Sequence, residues 1–227
     1  MTATQQATAG QTQSDRAVEI IKHMILTNEL PPGSNHLESE LALMLGMSRT
    51  PVREAALLLE AQGLVDIRPR HGIRVLPLTA RDMEEIYQIL TELEPLAAQL
   101  VAERKPDNDV LGTLQVCIDA MEQALAEEDR NAWADADHAF HRQLVSLAGN
   151  TRLLVIFNTY SDQVQRARLL TLNMRPLPVK SNEDHRRLLD AIRSGDGEAA
   201  RAIHHRHRVE AKELMLRLLE TAGMTRF

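Results

Sequence analysis

Apolar residues recur at Ala17, Ile20, Ile21, Met24 and Ile25. That spacing predicts an amphipathic helix over residues 15–28. The stretch Leu30-Pro31-Pro32-Gly33 stops it, because neither proline nor the glycine sustains a helix. A short second helix is expected over about 38–45, with Leu41, Ala42 and Leu45 inward and Gly46 closing it. A third follows at once, with Ser48 as its N-cap and Pro51 tolerated in its first turn. Beyond Gly63 the chain reads LVDIRPRHGIRVLPL, in which β-prone pieces at 64–68 and 73–76 flank a Pro-Arg-His-Gly turn. Three helices and a hairpin in this order describe a winged helix-turn-helix over 15–78. The polar residues 1–14 ahead of it read as a disordered arm.

From Thr79 the pattern is helical almost throughout. Helices are expected near 80–103, 108–127, 130–148, 151–172, 181–194 and 196–221, with Pro95 kinking the first. Breaks fall at Lys105-Pro106, around Asp129, at Gly149-Asn150, between Arg175 and Pro178, and at Gly195. The fold class is therefore mainly α: an N-terminal winged helix-turn-helix and, over 79–227, an antiparallel bundle of about six helices.

Composition sharpens this picture in two places. Aromatics make up 3% of the 227 residues, which favours packed helices over sheets. Cys117 is the only cysteine, so no intrachain disulfide forms and a reducing cytoplasm is the expected location. No apolar run is long enough to cross a bilayer, and the N-terminus lacks a secretory pattern. The net charge of −6 argues at first against nucleic acid. Between residues 49 and 74, however, Arg49, Arg53, Arg68, Arg70 and Arg74 outnumber Glu54, Glu60 and Asp66. DNA responds to such a local basic surface, not to the whole-chain sum.

The stretch MSRTPVREAALLLEAQGLV concentrates cations and hydroxyls at the start of the third helix. Arg49 and Arg53 stand four apart, hence on one face. An arginine fork can bond O6 and N7 of guanine together, while the Ser48 and Thr50 hydroxyls suit phosphate. The competing reading is an ordinary capped helix carrying surface arginines. The basic hairpin beside it, with Arg68, Arg70, His71 and Arg74, weighs against that. ELPPG, LESELALMLGMSRTPVREA, EAQGLV and RPRHGIRV together resemble the GntR family of bacterial transcription regulators over residues 15–76. The resemblance implies that Arg49 and Arg53 read bases and that Ser48 and Thr50 support backbone contacts. It places the His71-Gly72 tip at the minor groove, while the basic wing that includes Arg70 is expected to reach phosphate or minor groove. Leu57 and Leu58 fall where that family commonly has polar residues; they are either packing residues for another domain or subunit, or an exposed apolar pair.

The chain has nine histidines. Asp137 and His141 share a helix face in DADHAFHRQL, and His185 and His207 lie in two later helices. Three imidazoles and a carboxylate suit zinc, nickel or manganese, and an octahedral ion would keep two positions for water or a chelating ligand. The plain alternative for the Asp137/His141 spacing is a surface hydrogen bond. Residues 79–221 resemble the FCD ligand-binding domain of the FadR subfamily, recognisable in DADHAFHRQLVSLAGNTRL and EDHRRLLDAIRSGD. That resemblance carries metal ligation onto Asp137, His141, His185 and His207. His204, one turn earlier, competes with His207; His205 is expected to face solvent, and His138 to point away from His141. FCD domains often hold an arginine four residues before a glutamate of the first bundle helix, for a ligand carboxylate. With Glu94 as that glutamate, the position holds Leu90. Either Leu90 abolishes carboxylate binding, or Arg166 or Arg168 substitutes in the effector pocket, unless both are surface arginines.

Taken together, these features predict a regulator, a repressor rather than an activator and not an enzyme, and the resemblance implies that it is a homodimer. It would bind a palindromic DNA operator and respond to a small organic acid at a divalent-metal site. Two alternatives stand beside it: a metal-dependent hydrolase, and a regulator whose bundle serves only dimerisation.

Overall fold

A computed structural model describes residues 12–227. The chain divides into two compact units, Met1–Pro77 and Leu78–Phe227. Residues 1–11 of the expected arm lie outside the described residues. The last of that stretch is ordered: Thr12 caps α1 (Gln13–Leu26) in a reciprocal capping box with Asp15. The helix thus starts ahead of the apolar periodicity, because the cap and not the first buried residue sets its beginning.

In the first unit α1 is followed by β1 (Asn35–His36), α2 (Glu38–Leu45), α3 (Arg49–Ala61), β2 (Val65–Arg68) and β3 (Gly72–Val75). The three strands pair antiparallel in the order β1-β3-β2. Two-residue β1 carries no readable alternation, and only its pairing of Asn35 and His36 with Arg74 and Ile73 makes it a strand. Ile21, Ile25, Leu41, Val52, Leu59, Val65 and Ile73 close the core. Ser48 occupies the N-cap position of α3 but its hydroxyl makes no capping bond, so it is available to another partner. Gly72 has φ of +79°, and a Cβ there would collide with the His36 carbonyl oxygen. Glycine is required at the base of the wing.

In the second unit, six α-helices run among the described residues: α4 (Ala80–Arg104), α5 (Asn108–Ala126), α6 (Arg130–Leu147), α7 (Thr151–Leu170), α8 (Val179–Ser194) and α9 (Gly197–Thr221). Pro95 lies inside α4 without ending it. A 3-10 turn, Leu172–Met174, follows α7, so that helix stops short of the expected 172. Thr171 accounts for this: its hydroxyl and N–H both bond back to the Ala167 and Arg168 carbonyls. Asp107, Asp129, Asn150 and Asp196 cap α5, α6, α7 and α9 through their side chains. Met83, Leu90, Ile118, Phe140, Leu144, Leu189 and Met215 belong to one continuous core. Polar groups are set into the middle of it.

Candidate functional site

On α3, Val52, Ala55, Ala56 and Leu59 are buried and fix the helix to its unit. Ser48, Arg49, Thr50 and Arg53 are all exposed at its N-terminal end, where the helix dipole favours anions. Arg49 Nη2 lies 3.3 Å from Glu38 Oε2, and its side chain keeps 70% exposure. Arg70 and His71 are exposed at the β2–β3 turn, Arg70 with φ of +67°. Leu57 and Leu58 are 54% and 49% exposed.

The second constellation is built on helix faces that are otherwise apolar. The buried stripe of α6 runs Trp133, Ala134, Asp137, Phe140, His141, Leu144, a spacing that turns Asp137 and His141 into the bundle. Trp133 Nε1 donates to Asn182 Oδ1 at 2.8 Å, fixing α8 against α6. His185, three residues after Asn182, consequently faces Asp137, with Nε2 3.6 Å from Oδ1. The Phe140 ring supports it from the side, centroids 4.4 Å apart. His207 arrives from α9. One ligand atom from each of Asp137, His141, His185 and His207 falls within 4.8 Å of the others, and all four residues are buried.

A second layer orients them. His141 Nδ1 lies 2.6 Å from Glu94 Oε2, and Nδ1–H donation there leaves the Nε2 lone pair facing Asp137, 3.5 Å away. His207 Nδ1 sits 3.8 Å from Asp184 Oδ2. His204 Nε2 is 3.3 Å from the same Glu94 oxygen as His141. This separates the two rival histidines: His207 groups with Asp137, whereas His204 joins Glu94 and His141 in a second cluster. His205 is half-exposed beside Glu92, and His138 faces Asp162 at 3.6 Å.

Burial pushes the imidazoles of His141 and His185 below their usual value of 6.5, His185 far below, and takes His204 to about 3. All three are therefore neutral and offer lone pairs. Burial acts against the Asp137 and Glu94 carboxylates as well, but the guanidiniums of Arg168 and Arg208 and the neighbouring imidazoles outweigh it. Both acids are held well below the carboxylate range.

Nε2 of His141 and both ring nitrogens of His185 have no hydrogen-bond partner. Asp137 Oδ2 is in ion-pair contact with Arg168 Nη1 but receives no well-aligned hydrogen bond. Each buried unsatisfied group costs roughly 1–3 kcal/mol, so a convergent set of them marks a place for a further ligand. One carboxylate and three imidazoles are a donor set for a borderline divalent ion. The residues present fit such an ion.

Beside this cluster lies a small cavity lined by Leu90, Glu94, His138, His141, Arg168 and Arg208, among others. Arg166 and Arg168 are both buried, at 2% and 6% exposure, which removes the surface reading of these arginines. Arg168 reaches the cavity, and Arg166 is not part of its lining.

Profiles of known families match both units: "FCD domain" over residues 85–210, and "Bacterial regulatory proteins, gntR family" over 13–75. The chain belongs to the GntR family. It is a DNA-binding transcription regulator with an FCD effector-binding domain. Among curated relatives, this GntR-family chain is 34% identical over 210 residues to a protein of Paenarthrobacter nicotinovorans named as a probable D-xylose utilization operon transcriptional repressor, covering 90% of each chain. It is 42% identical over 134 residues to an uncharacterized HTH-type transcriptional regulator of Agrobacterium vitis, covering 58% of this chain and 78% of that one. The solved structure of E. coli McbR/YncC shares its fold with a TM-score of 0.77 at 23% identity, over 94% of this chain and 99% of that one.

Two features of the regulator's site escape a reading of its motifs. One is Glu94 as the hinge between His141 and His204. The other is Arg208, whose guanidinium carbon lies 4.9 Å from the Tyr87 ring centroid and whose Nη2 is 3.2 Å from Glu94 Oε1. A signal for Arg208 was present: it follows His204 by four residues and shares its helix face.

Proposed function

We propose that the regulator is a homodimeric cytoplasmic repressor. Its grip on a palindromic operator would be set by a small carboxylate effector at a divalent-metal site. Asp137, His141, His185 and His207 would hold the ion, with zinc, nickel and manganese the candidates. Ser48, Arg49, Thr50 and Arg53 would meet bases and phosphates in the major groove, and Arg70, His71 and Gly72 would form the wing contact. The observation that carries this reading is the convergence of unpartnered, buried ring nitrogens on the Asp137 carboxylate.

A divalent ion there supplies a Lewis-acidic centre for an oxygen ligand of the effector. The protein's own groups do the rest. Glu94 fixes the ring of His141 so that its free nitrogen faces inward, and Asp184 stands 3.8 Å from His207 Nδ1. Arg168 reaches the same chamber from α7. Effector binding changes operator affinity only by its preference between two arrangements of the dimer, typically about 1–3 kcal/mol.

Two measurements test this. A mobility-shift assay on the gene's own promoter fragment should lose the retarded band for Arg49→Ala/Arg53→Ala; an unchanged band removes the DNA assignment. Metal analysis of purified protein should find an ion in the wild type and none in His185→Ala, and equal content in both removes the metal assignment.

A further inference from the structure

Arg208 is 2% exposed, yet its Nε has no hydrogen-bond acceptor, and its Nη2 faces Glu94 Oε1 without hydrogen-bond alignment. Tyr87 packs against the guanidinium, and the group lines the cavity beside the histidine cluster together with Arg168. A guanidinium with a buried, unused donor beside a cavity is built to receive an oxyanion.

The charges in the chamber say which kind. The Glu94 and Asp137 carboxylates are matched by Arg208 and Arg168. The other buried acids nearby have partners of their own: Asp184 has Lys180 at 3.0 Å, and Asp162 faces His138. Arg175, whose guanidinium bonds the Thr171 hydroxyl and the Met215 sulfur, adds a further positive charge near Asp137 and Arg168. The chamber therefore carries no excess of negative charge before any cation enters. With a divalent ion on Asp137 and its histidines, at least two positive charges stand uncompensated in a water-poor interior, where unpaired charge is strongly disfavoured.

The cavity itself is about 10 Å³, room for one water. Arg168 occupies the approach by folding onto Asp137 Oδ2. If that oxygen ligated a cation, Arg168 would lose its partner and swing from Asp137 toward an entering anion, which would open the space.

We propose that Arg208, assisted by Arg168, is the anion anchor of the site and selects a small dianion such as a short dicarboxylate. One end of the dianion would lie toward Asp137 and the histidines and the other on the Arg208 fork. The inference rests on the metal-and-effector reading above and names its specificity residue. Arg208 serves from α9 the space that Leu90 leaves unfilled by charge on α4, since both line the same cavity.

The test uses the full-length zinc-loaded protein, titrated calorimetrically with malonate, succinate and L-malate and with the monoamide of each. At least one dianion should bind at least tenfold more tightly than its monoamide. Arg208→Met should lose at least tenfold of that affinity with zinc content unchanged, and Arg208→Met/Leu90→Arg should regain it. Arg208→Lys keeps a charge opposite Glu94 without the planar fork, and covers the case in which Arg208→Met does not fold; it should lose affinity with an unaltered circular-dichroism spectrum. Binding of none of the three dianions, equal binding of the monoamides, undiminished binding by Arg208→Met or Arg208→Lys, or loss of zinc along with the anion in those variants would overturn the assignment. Failure of the wild type to retain zinc would instead remove the underlying metal reading.

Discussion

His141 and Glu94 are joined by a 2.6 Å contact between Nδ1 and Oε2, both side chains being almost wholly buried. The carboxylate fixes the ring's tautomer and aims Nε2 at Asp137. Glu94→Gln keeps the shape but offers a neutral, weaker partner. Metal affinity should fall about 10–100-fold, the usual effect of altering such an outer partner. Competition against a chelating dye measures it; an unchanged affinity would leave Glu94 a purely structural residue.

His185 should separate binding from stability. Neither ring nitrogen has a hydrogen-bond partner, so the imidazole serves the apo protein mainly by packing against Phe140, His141 and His207, with Asp137 3.6 Å away. His185→Leu is expected to leave the chelator-treated protein within about 1 kcal/mol of wild type in urea unfolding, or above it, because an unsatisfied polar group is removed. The same variant should no longer be stabilised by added zinc.

Acidity should weaken the fold in a defined order. The buried imidazoles of His141, His185 and His204 have folded pKa values below 6.5, that of His204 about 3. The unfolded chain therefore binds more protons than the folded one as pH drops past about 6.5, and stability present above that pH is lost below it. Each such imidazole contributes roughly 1 kcal/mol per pH unit in that window. Glu94 and Asp137, also depressed in the folded state, add a further loss below their ordinary values near 4. Melting temperatures of metal-free protein between pH 8 and 4 should be flat at first and then fall, and a rise on acidification would contradict the buried-neutral assignment.

At the DNA face, Arg49→Ala and Arg53→Ala should each cost about 1–3 kcal/mol and relax base preference at one position. Arg70→Ala should weaken binding across all sequences and reduce the slope of log affinity against log salt by about one. Quantitative footprinting on operator variants at several salt concentrations distinguishes the two classes. Loss of Arg49 also leaves Glu38 without its ion pair, so repulsion of phosphate adds to the deficit.

Features that repeat locally were readable from the chain. The i,i+4 spacing of Asp137 and His141, the caps at Asp129 and Asp196 and the basic turn at Arg70-His71 are set by neighbours in sequence. Features that depend on which helices meet were not. Spacing alone left His204 and His207 equivalent; only the position of Glu94 on α4 divides them. β1 exists because β3 runs beside it, and Arg208 matters because Tyr87 and Glu94, more than a hundred positions away in the chain, pack around it. The start of α1 lies ahead of the expected residue 15 for the opposite reason: a polar cap at Thr12, invisible to hydrophobic periodicity, begins the helix.

Gly72 holds the wing against the backbone of His36 so closely that no side chain fits between them. The Gly72 end of the loop carrying Arg70 and His71 is thereby held against the His36 backbone in the free protein. Its amides should exchange slowly with deuterated solvent in the free protein. The minor-groove engagement proposed for this loop would then be a rigid-body event with little conformational entropy left to lose, favouring fast sampling of successive DNA sites over slow, folding-coupled capture.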